Sequence, residues 1–319
     1  MKLRILYHGN CFDGVSSAAI FTKFYQAKIA PGADVFYTPT MHRAGNAFER
    51  NQFDGDENAI VDFKYCPDER LTWWFDHHQS AFLTPSDEQH FLADTSEKKF
   101  LDTTSKSCAE FIARVTKEKF DFEDESLAEL IHWAHIIDGA LYESPAQCVE
   151  LRSPALKLMQ VIEGEKDPAF VEQIIEMLTE QSLAGIVAGD AIQAKLKPIL
   201  EQHWATVELI KQRAVAERGV VSFDLTGTGI EGYNKFIPYY FHPEVTYIVS
   251  LSQSSFRTKI SVGSNPWAPR SRTHNIAEIC ERYGGGGHAV VGAVSLKPDD
   301  LELGKKYMQE IIEELRFED

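Results

Sequence analysis

Three short apolar runs fall within the first 80 residues, at positions 3–7, 58–61 and 71–75, and each ends abruptly in polar residues. Between the first two lies a segment of helical character, 15–26, rich in Ala, Ile and Phe. Strand, helix, strand alternation of this kind predicts a parallel α/β sheet. From Ser107 the period becomes helical. Cys108, Phe111, Ile112 and Val115 share one face, as do Leu127, Leu130, Ile131, Ala134 and Ile137. A further helical stretch is expected over 168–216, interrupted by Ala184-Gly185 and by Pro198. At Gly219 the period changes again. Val220, Val221, Phe223 and Leu225 open a β-rich segment, continued at 246–251 and 257–262. A helix over 274–283, a run of four glycines, a strand over 289–296 and an amphipathic helix over 299–315 complete the chain. The expected organisation is a parallel-sheet α/β domain over 1–185, a helical connector over 186–218 and a smaller mixed α/β domain over 219–319.

The residues that end the apolar runs change the picture from fold to chemistry. The first run ends in His8, the second in Asp62, and the third in Asp76, His77 and His78. Ligands of open parallel sheets gather outside the C-terminal strand ends, so these clusters, with Asp13 close behind His8, are expected on one edge. Asp-His-His behind Trp73-Trp74-Phe75 is poor core material, because burying such groups unpaired is costly. Carboxylates and imidazoles converging on one edge repel or desolvate one another unless a cation sits among them. Their oxygen and nitrogen donors suit manganese, magnesium or iron. Asp138 breaks the apolar stretch 133–137 and is a fourth candidate. The run Gly284–Gly287, followed by His288, lets backbone N–H groups approach an anion without interference from Cβ atoms. The aromatic residues Tyr233, Phe236, Tyr239, Tyr240 and Phe241 are read as core in preference to a base-stacking surface.

Composition narrows the partners. The 319 residues are 44% hydrophobic and 25% charged, ordinary for a globular chain of two domains. The formal net charge of −16 argues against binding long duplexes, whose affinity comes from neutralised phosphates. A small anionic substrate held by local groups and metal ions remains compatible, as does a homodimer. No apolar run approaches the length of a membrane span, and the first strand is too short for a signal-peptide core. The five cysteines are scattered with no CxxC pair, so a reducing cytoplasm is expected.

Read together, the motifs carry a resemblance. YHGNCFDGVSSAA resembles the first motif of DHH-family phosphoesterases, VDF the second, FDHH the third and the region of Asp138 the fourth. GGGGHAVVGAV, preceded by NIAEICERY, resembles the phosphate-binding loop of the DHH-associated C-terminal domain. SFRTKISVGS resembles that domain's arginine-bearing strand. The order and spacing match over most of the chain. The resemblance implies His8, Asp13, Asp62, His77 and Asp138 as ligands of one or two divalent ions, manganese foremost and magnesium as the alternative, with Asp62 bridging. It implies His78 as the residue touching the reacting phosphate and Asp76 as a residue that orients a histidine. Arg257, Gly286, Gly287 and His288 would hold the non-scissile end of the substrate. One departure stands out. Family members carry two aspartates separated by one residue in the first motif, whereas Asn10-Cys11-Phe12-Asp13 retains only the second. One ion is therefore expected to be held more weakly.

The activity implied is hydrolysis of phosphate esters in small nucleotides or short oligonucleotides: oligoribonucleotides, cyclic dinucleotides and their linear products, or 3′-phosphorylated adenosine nucleotides. An inorganic pyrophosphatase is the first alternative, and GGGGH argues against it. A non-catalytic nucleotide-binding protein with a degraded metal site is the second, supported by the missing aspartate alone.

Overall fold

The computed structural model describes residues 1–42, 48–230 and 232–317. They fall into two compact units, Met1–Tyr142 with Arg152–Leu196, and Glu143–Leu151 with Lys197–Asp319.

The first unit is built on strands β1 (Lys2–His8), β2 (Asp34–Thr40), β3 (Glu57–Val61), β4 (Leu71–Asp76) and β5 (Lys99–Leu101). They form one sheet in the order β2-β1-β3-β4-β5 with every neighbouring pair parallel. The three apolar runs of the sequence are its three central strands, buried on both faces. The two edge strands are additions to the sequence reading. β2 contains Pro39 and is only partly buried, and β5 has three residues, so neither presents a continuous apolar run.

Helix α1 (Phe12–Lys28) buries 13 of its 17 residues, which makes it a core helix and not an amphipathic surface one. It packs against α3 (Cys108–Phe120), α4 (Ala128–Asp138) and α7 (Pro168–Glu180); the first unit also contains α2 (Pro85–Leu92), α6 (Pro154–Gly164) and α8 (Leu183–Ala188). Alternation along β4 sends one indole to each side of the sheet. Trp73 meets Phe21 and Phe24 of α1 at ring separations of 5.8 and 5.6 Å, and Trp74 meets Phe91 of α2 at 5.1 Å. A fully buried large apolar side chain contributes about 1.5 to 3 kcal/mol, so this pair fixes the strand whose end carries Asp76.

The expected breaks in the helical stretch 168–216 lie elsewhere. Ser182, accepting from the Gly185 N–H at 3.2 Å, caps α8, and α9 (Asp190–Arg213) begins after Gly189. Pro198 lies inside α9 without ending it, since a proline removes one ladder bond and the 24-residue helix keeps the rest. Among the described residues no helix is long and apolar enough to cross a membrane.

The second unit contains α5 (Pro145–Glu150) and a six-stranded mixed sheet. Its strands are β6 (Val215–Glu217), β7 (Val220–Asp224), β8 (Tyr247–Gln253), β9 (Thr258–Ser264), β10 (Gly286–His288) and β11 (Val291–Leu296), ordered β10-β11-β9-β8-β7-β6. Only β7 and β8 run parallel. Helix α10 (Ile237–Phe241) packs on α5, and helices α11 (Ile276–Arg282) and α12 (Leu301–Leu315) cover one face of the sheet. Ile276, Ile279, Ile311 and Leu315 meet Val249, Ile260 and Val262 there. Phe236 and Tyr239 are buried, and the Tyr233 hydroxyl lies 2.6 Å from Ser250 Oγ, so these members of the aromatic group belong to the core. The sequence-derived fold class, a parallel α/β domain with helices leading to a smaller mixed domain, is the one observed.

Candidate metal centre

Strand register assembles the site. Tyr7 pairs with Val61, and Val61 with Phe75. His8, Asp62 and Asp76 therefore leave the sheet side by side at the C-terminal ends of β1, β3 and β4. Asp62 turns there in the left-handed conformation, φ +56°, which an aspartate tolerates. Its N–H donates to Phe75 O at 2.9 Å, tying the turn to β4. Gly14 has a steric reason to be glycine: a Cβ at that position would lie 2.2 Å from His8 O. The first turn of α1, with Asp13, is thereby pressed against the end of β1.

The side chains converge. His77 Nδ1 donates to Ser105 O at 3.1 Å, so in the neutral ring Nε2 carries the free lone pair. Around Nε2 stand three carboxylate oxygens, Asp62 Oδ1 at 3.3 Å, Asp138 Oδ2 at 3.4 Å and Asp13 Oδ2 at 3.7 Å. Asp13 is further held by the Cys108 and Ala109 N–H groups at the start of α3, at 2.6 and 3.0 Å. His8 Nδ1 approaches Asp62 Oδ2 at 3.3 Å. Asp76 is fully buried, and its Oδ1 accepts from His77 N, His78 N and His78 Nδ1 at 2.8, 3.3 and 2.6 Å. Asp138 ends α4, where a carboxylate faces the negative end of the helix dipole.

Electrostatics follow from this crowding. Burial opposes the charge on His77, but Asp62 and Asp13 outweigh it and push its pKa up to about 10. Burial likewise opposes ionisation of Asp62, and contacts with His77 and His8 outweigh it, holding the carboxyl down at about 2. Asp13 is raised, first by burial and then by the charges of Asp62 and Asp138. Burial raises Asp138 too, with Asp62 adding to it.

These residues fit a cation on an independent observation. Asp62 Oδ1 and His77 Nε2 are both buried, and neither has a hydrogen-bond partner. Native structures rarely leave buried polar atoms so. Among the described residues, three donor groups have ligand atoms within 4.8 Å of one another: His8, Cys11 and Asp62; Asp62, His77 and His78; Asp13, His77 and Asp138. Asp62 and His77 each belong to two of them.

All seven sequence-selected residues of the first unit, His8, Asp13, Asp62, Asp76, His77, His78 and Asp138, thus meet at one place. One neighbour escaped the sequence reading. His42 stacks on Phe63 at 4.8 Å and meets the His8 ring edge-on at 4.9 Å. It follows β2, an edge strand without an apolar run, so no signal placed it. Glu110 of α3 and His135 of α4 pair at 2.7 Å, linking the two helices that carry Cys108, Ala109 and Asp138.

In the second unit the glycine run is an edge strand preceded by a turn, not an open loop. Gly284 has φ +76°, and a Cβ on Gly285 or Gly287 would lie 2.2 Å from Ala293 O or 2.3 Å from Val291 O. Three of the four glycines are therefore explained by backbone conformation or packing. Gly286 has open space around it. Gly286 and His288 share β10, but Arg257 lies in the turn before β9, Ser254 N donating to Arg257 O at 2.9 Å. Gly286 pairs with Ala293 and Ala293 with Ser261. Four residues of strand, about 13 Å, separate Ser261 from Arg257. The register does not bring Arg257 to the glycines.

No family model matches the sequence, and no curated protein matches it. Solved structures do match. The pGpG-specific phosphodiesterase PggH from Vibrio cholerae aligns with a TM-score of 0.69 at 17% identity, over 98% of this chain and 99% of that one. A DHH domain from a protein described as belonging to a family of ribosomal proteins aligns with a TM-score of 0.57 at 14% identity, over 99% and 87%. RecJ from Thermus thermophilus, solved with Mn2+, aligns with a TM-score of 0.54 at 15% identity, over all of this chain and 52% of that one. The chain thus spans about half the RecJ chain. The fold is shared with these structures.

Proposed function

We propose that this chain, having the fold of the DHH-domain structures, is a metal-dependent phosphoesterase of the DHH family that hydrolyses phosphate esters of small nucleotides or short oligonucleotides. The observation that carries the reading is the buried pair Asp62 Oδ1 and His77 Nε2, unpartnered among three carboxylates. The name of one similar structure, a phosphodiesterase, points the same way.

In this reading His8, Asp13, Asp62, His77 and Asp138 hold one or two divalent ions, manganese foremost, with Asp62 shared. The cation supplies positive charge that lowers the pKa of water and offsets charge building on the phosphate. The chain's own residues do the remainder. Asp13 is fixed by two backbone N–H groups and His77 by Ser105, so the donors are held in place before any ion arrives. Burial opposes a charge on His78, but Asp76 outweighs it and raises the pKa. An imidazolium held through Nδ1 offers its Nε2–H to a phosphate oxygen. Gly286, with its open space, supports an anion grip with Gly287 and His288 on the non-scissile end. Arg257 would contact a different part of the substrate. The division of labour in this reading is a catalytic portion over 1–185, a connector over 186–218 and a substrate-binding portion over 219–319.

The test is a product assay with manganese against linear and cyclic dinucleotides, short oligoribonucleotides, 3′-phosphorylated adenosine and pyrophosphate. Cleavage of a nucleotide ester that stops on chelation is the expected result. Turnover of pyrophosphate alone, or of nothing, would overturn the reading.

A further inference from the structure

The turn between β1 and α1 carries the two residues that stand where the resemblance lacks a carboxylate, and their side chains go separate ways. Asn10, at φ +55°, donates from Nδ2 to Glu165 O at 3.0 Å. Cys11 Sγ lies within 4.8 Å of the ligand atoms of His8 and Asp62. We propose that the Cys11 thiolate ligates a divalent cation together with His8 and Asp62, making this position selective for thiophilic cations such as zinc, cobalt or ferrous iron over magnesium. The proposal rests on the metal-dependent reading above and replaces the expectation of a weakened ion with one of altered preference.

Four observations support it. Asp62 is 1% exposed and turns Oδ2 to His8 Nδ1 at 3.3 Å, while its Oδ1, on the side of His77, has no hydrogen-bond partner. Cys11 is the N-cap residue of α1, at the end of β1 beside His8, and it forms no disulfide. It is also partly exposed, whereas the other four cysteines are buried. Sulfur, imidazole nitrogen and carboxylate oxygen together form a borderline-soft donor set. A divalent cation binds a thiol by displacing its proton. Thiolate and carboxylate then bring two negative charges to a dication, and the position does not lack charge.

The test uses the full chain freed of metal and titrated with Co2+. A sulfur-to-cobalt charge-transfer band in the near ultraviolet is expected beside visible d–d bands, and Cys11→Ser should lose the first while keeping d–d absorption. Visible bands without a charge-transfer band in the unaltered protein would sink the proposal and leave the metal-dependent reading standing. A charge-transfer band surviving in Cys11→Ser would assign the sulfur elsewhere and also overturn it. No cobalt absorption at all would remove both. Circular dichroism establishes that each variant is folded. Cys11→Asp supplies a second arm: its zinc-to-manganese affinity ratio should fall at least ~10-fold, the factor that about 1.4 kcal/mol represents. An unchanged ratio would count against the thiolate.

Discussion

His77 Nε2 and Asp62 Oδ1 lie 3.3 Å apart in the interior, and neither atom has a hydrogen-bond partner. The pair is stable either with a proton on His77 or with a cation between the rings and carboxylates. That alternative sets the behaviour of the metal-free protein and the loaded one.

Proton and metal compete for His77. Its folded pKa of about 10 lies above the ordinary 6.5, so its contribution to metal-free stability is fully present below about 6.5 and is lost as pH rises through 10. The melting temperature of the metal-free protein should fall between pH 7 and 10. Manganese affinity should rise over the same range by up to ~10-fold per pH unit, one proton being released. Calorimetry in buffers of different ionisation enthalpy measures that proton. Affinity flat in pH would mean that His77 is not displaced by the ion.

Removing the shared carboxylate should stop hydrolysis. Asp62→Asn keeps the shape and tolerates φ +56°, but it takes away the negative charge between two groups of donors. Turnover should drop by at least ~100-fold, the scale of losing one charge-stabilising group. A folded variant with near-normal turnover would contradict the bridging role.

Asp76 acts through His78. Replacing it with Asn removes the carboxylate that raises the His78 pKa, so protonated His78 is lost at lower pH. Asp76→Asn should shift the alkaline limb of the pH–rate profile downward and lower kcat by ~10- to 100-fold. Metal content should stay unchanged. Loss of metal together with activity would instead give Asp76 a role in holding the ion.

Gly14→Ala tests the turn that couples helix and strand. The added methyl would meet His8 O at 2.2 Å, so backbone must shift. A loss of about 1 to 3 kcal/mol in stability is expected, the usual cost of overpacking, together with weaker metal binding. Urea unfolding with and without manganese separates the two effects, and an unperturbed melt would show that the turn relaxes freely.

The glycine strand should matter only for extended substrates. Gly286→Val fills open space without a backbone clash, so the fold should survive. Loss of one or two charge-assisted hydrogen bonds would lower kcat/KM for a dinucleotide by ~10- to 100-fold. Hydrolysis of bis-p-nitrophenyl phosphate should be unchanged, and so it should be in His288→Ala. Equal loss on both substrates would place Gly286 outside the proposed grip.

The sequence by itself determined the central sheet and the polar residues at its edge. Apolar runs buried on both faces are unmistakable, and in a parallel sheet each run delivers its following residue to the same edge. That is why His8, Asp62 and the Asp76-His77-His78 cluster could be named together from spacing alone. Composition also set the number of domains and the two periodicities. Edge strands β2 and β5 were not legible, because a strand with one neighbour need not be apolar, and His42 was lost with β2. The helix breaks at Ser182 and Gly189 depended on capping and packing, which outweighed Pro198. Only tertiary structure decided which of Asn10 and Cys11 faces the centre, since one residue's difference along a turn reverses a side chain's direction. Tertiary structure also separated the glycines that packing demands from Gly286, and moved Arg257 to the far end of β9 from them. Residues adjacent in a motif share a sequence position, but strand register sets their distance, and register comes from the assembled sheet.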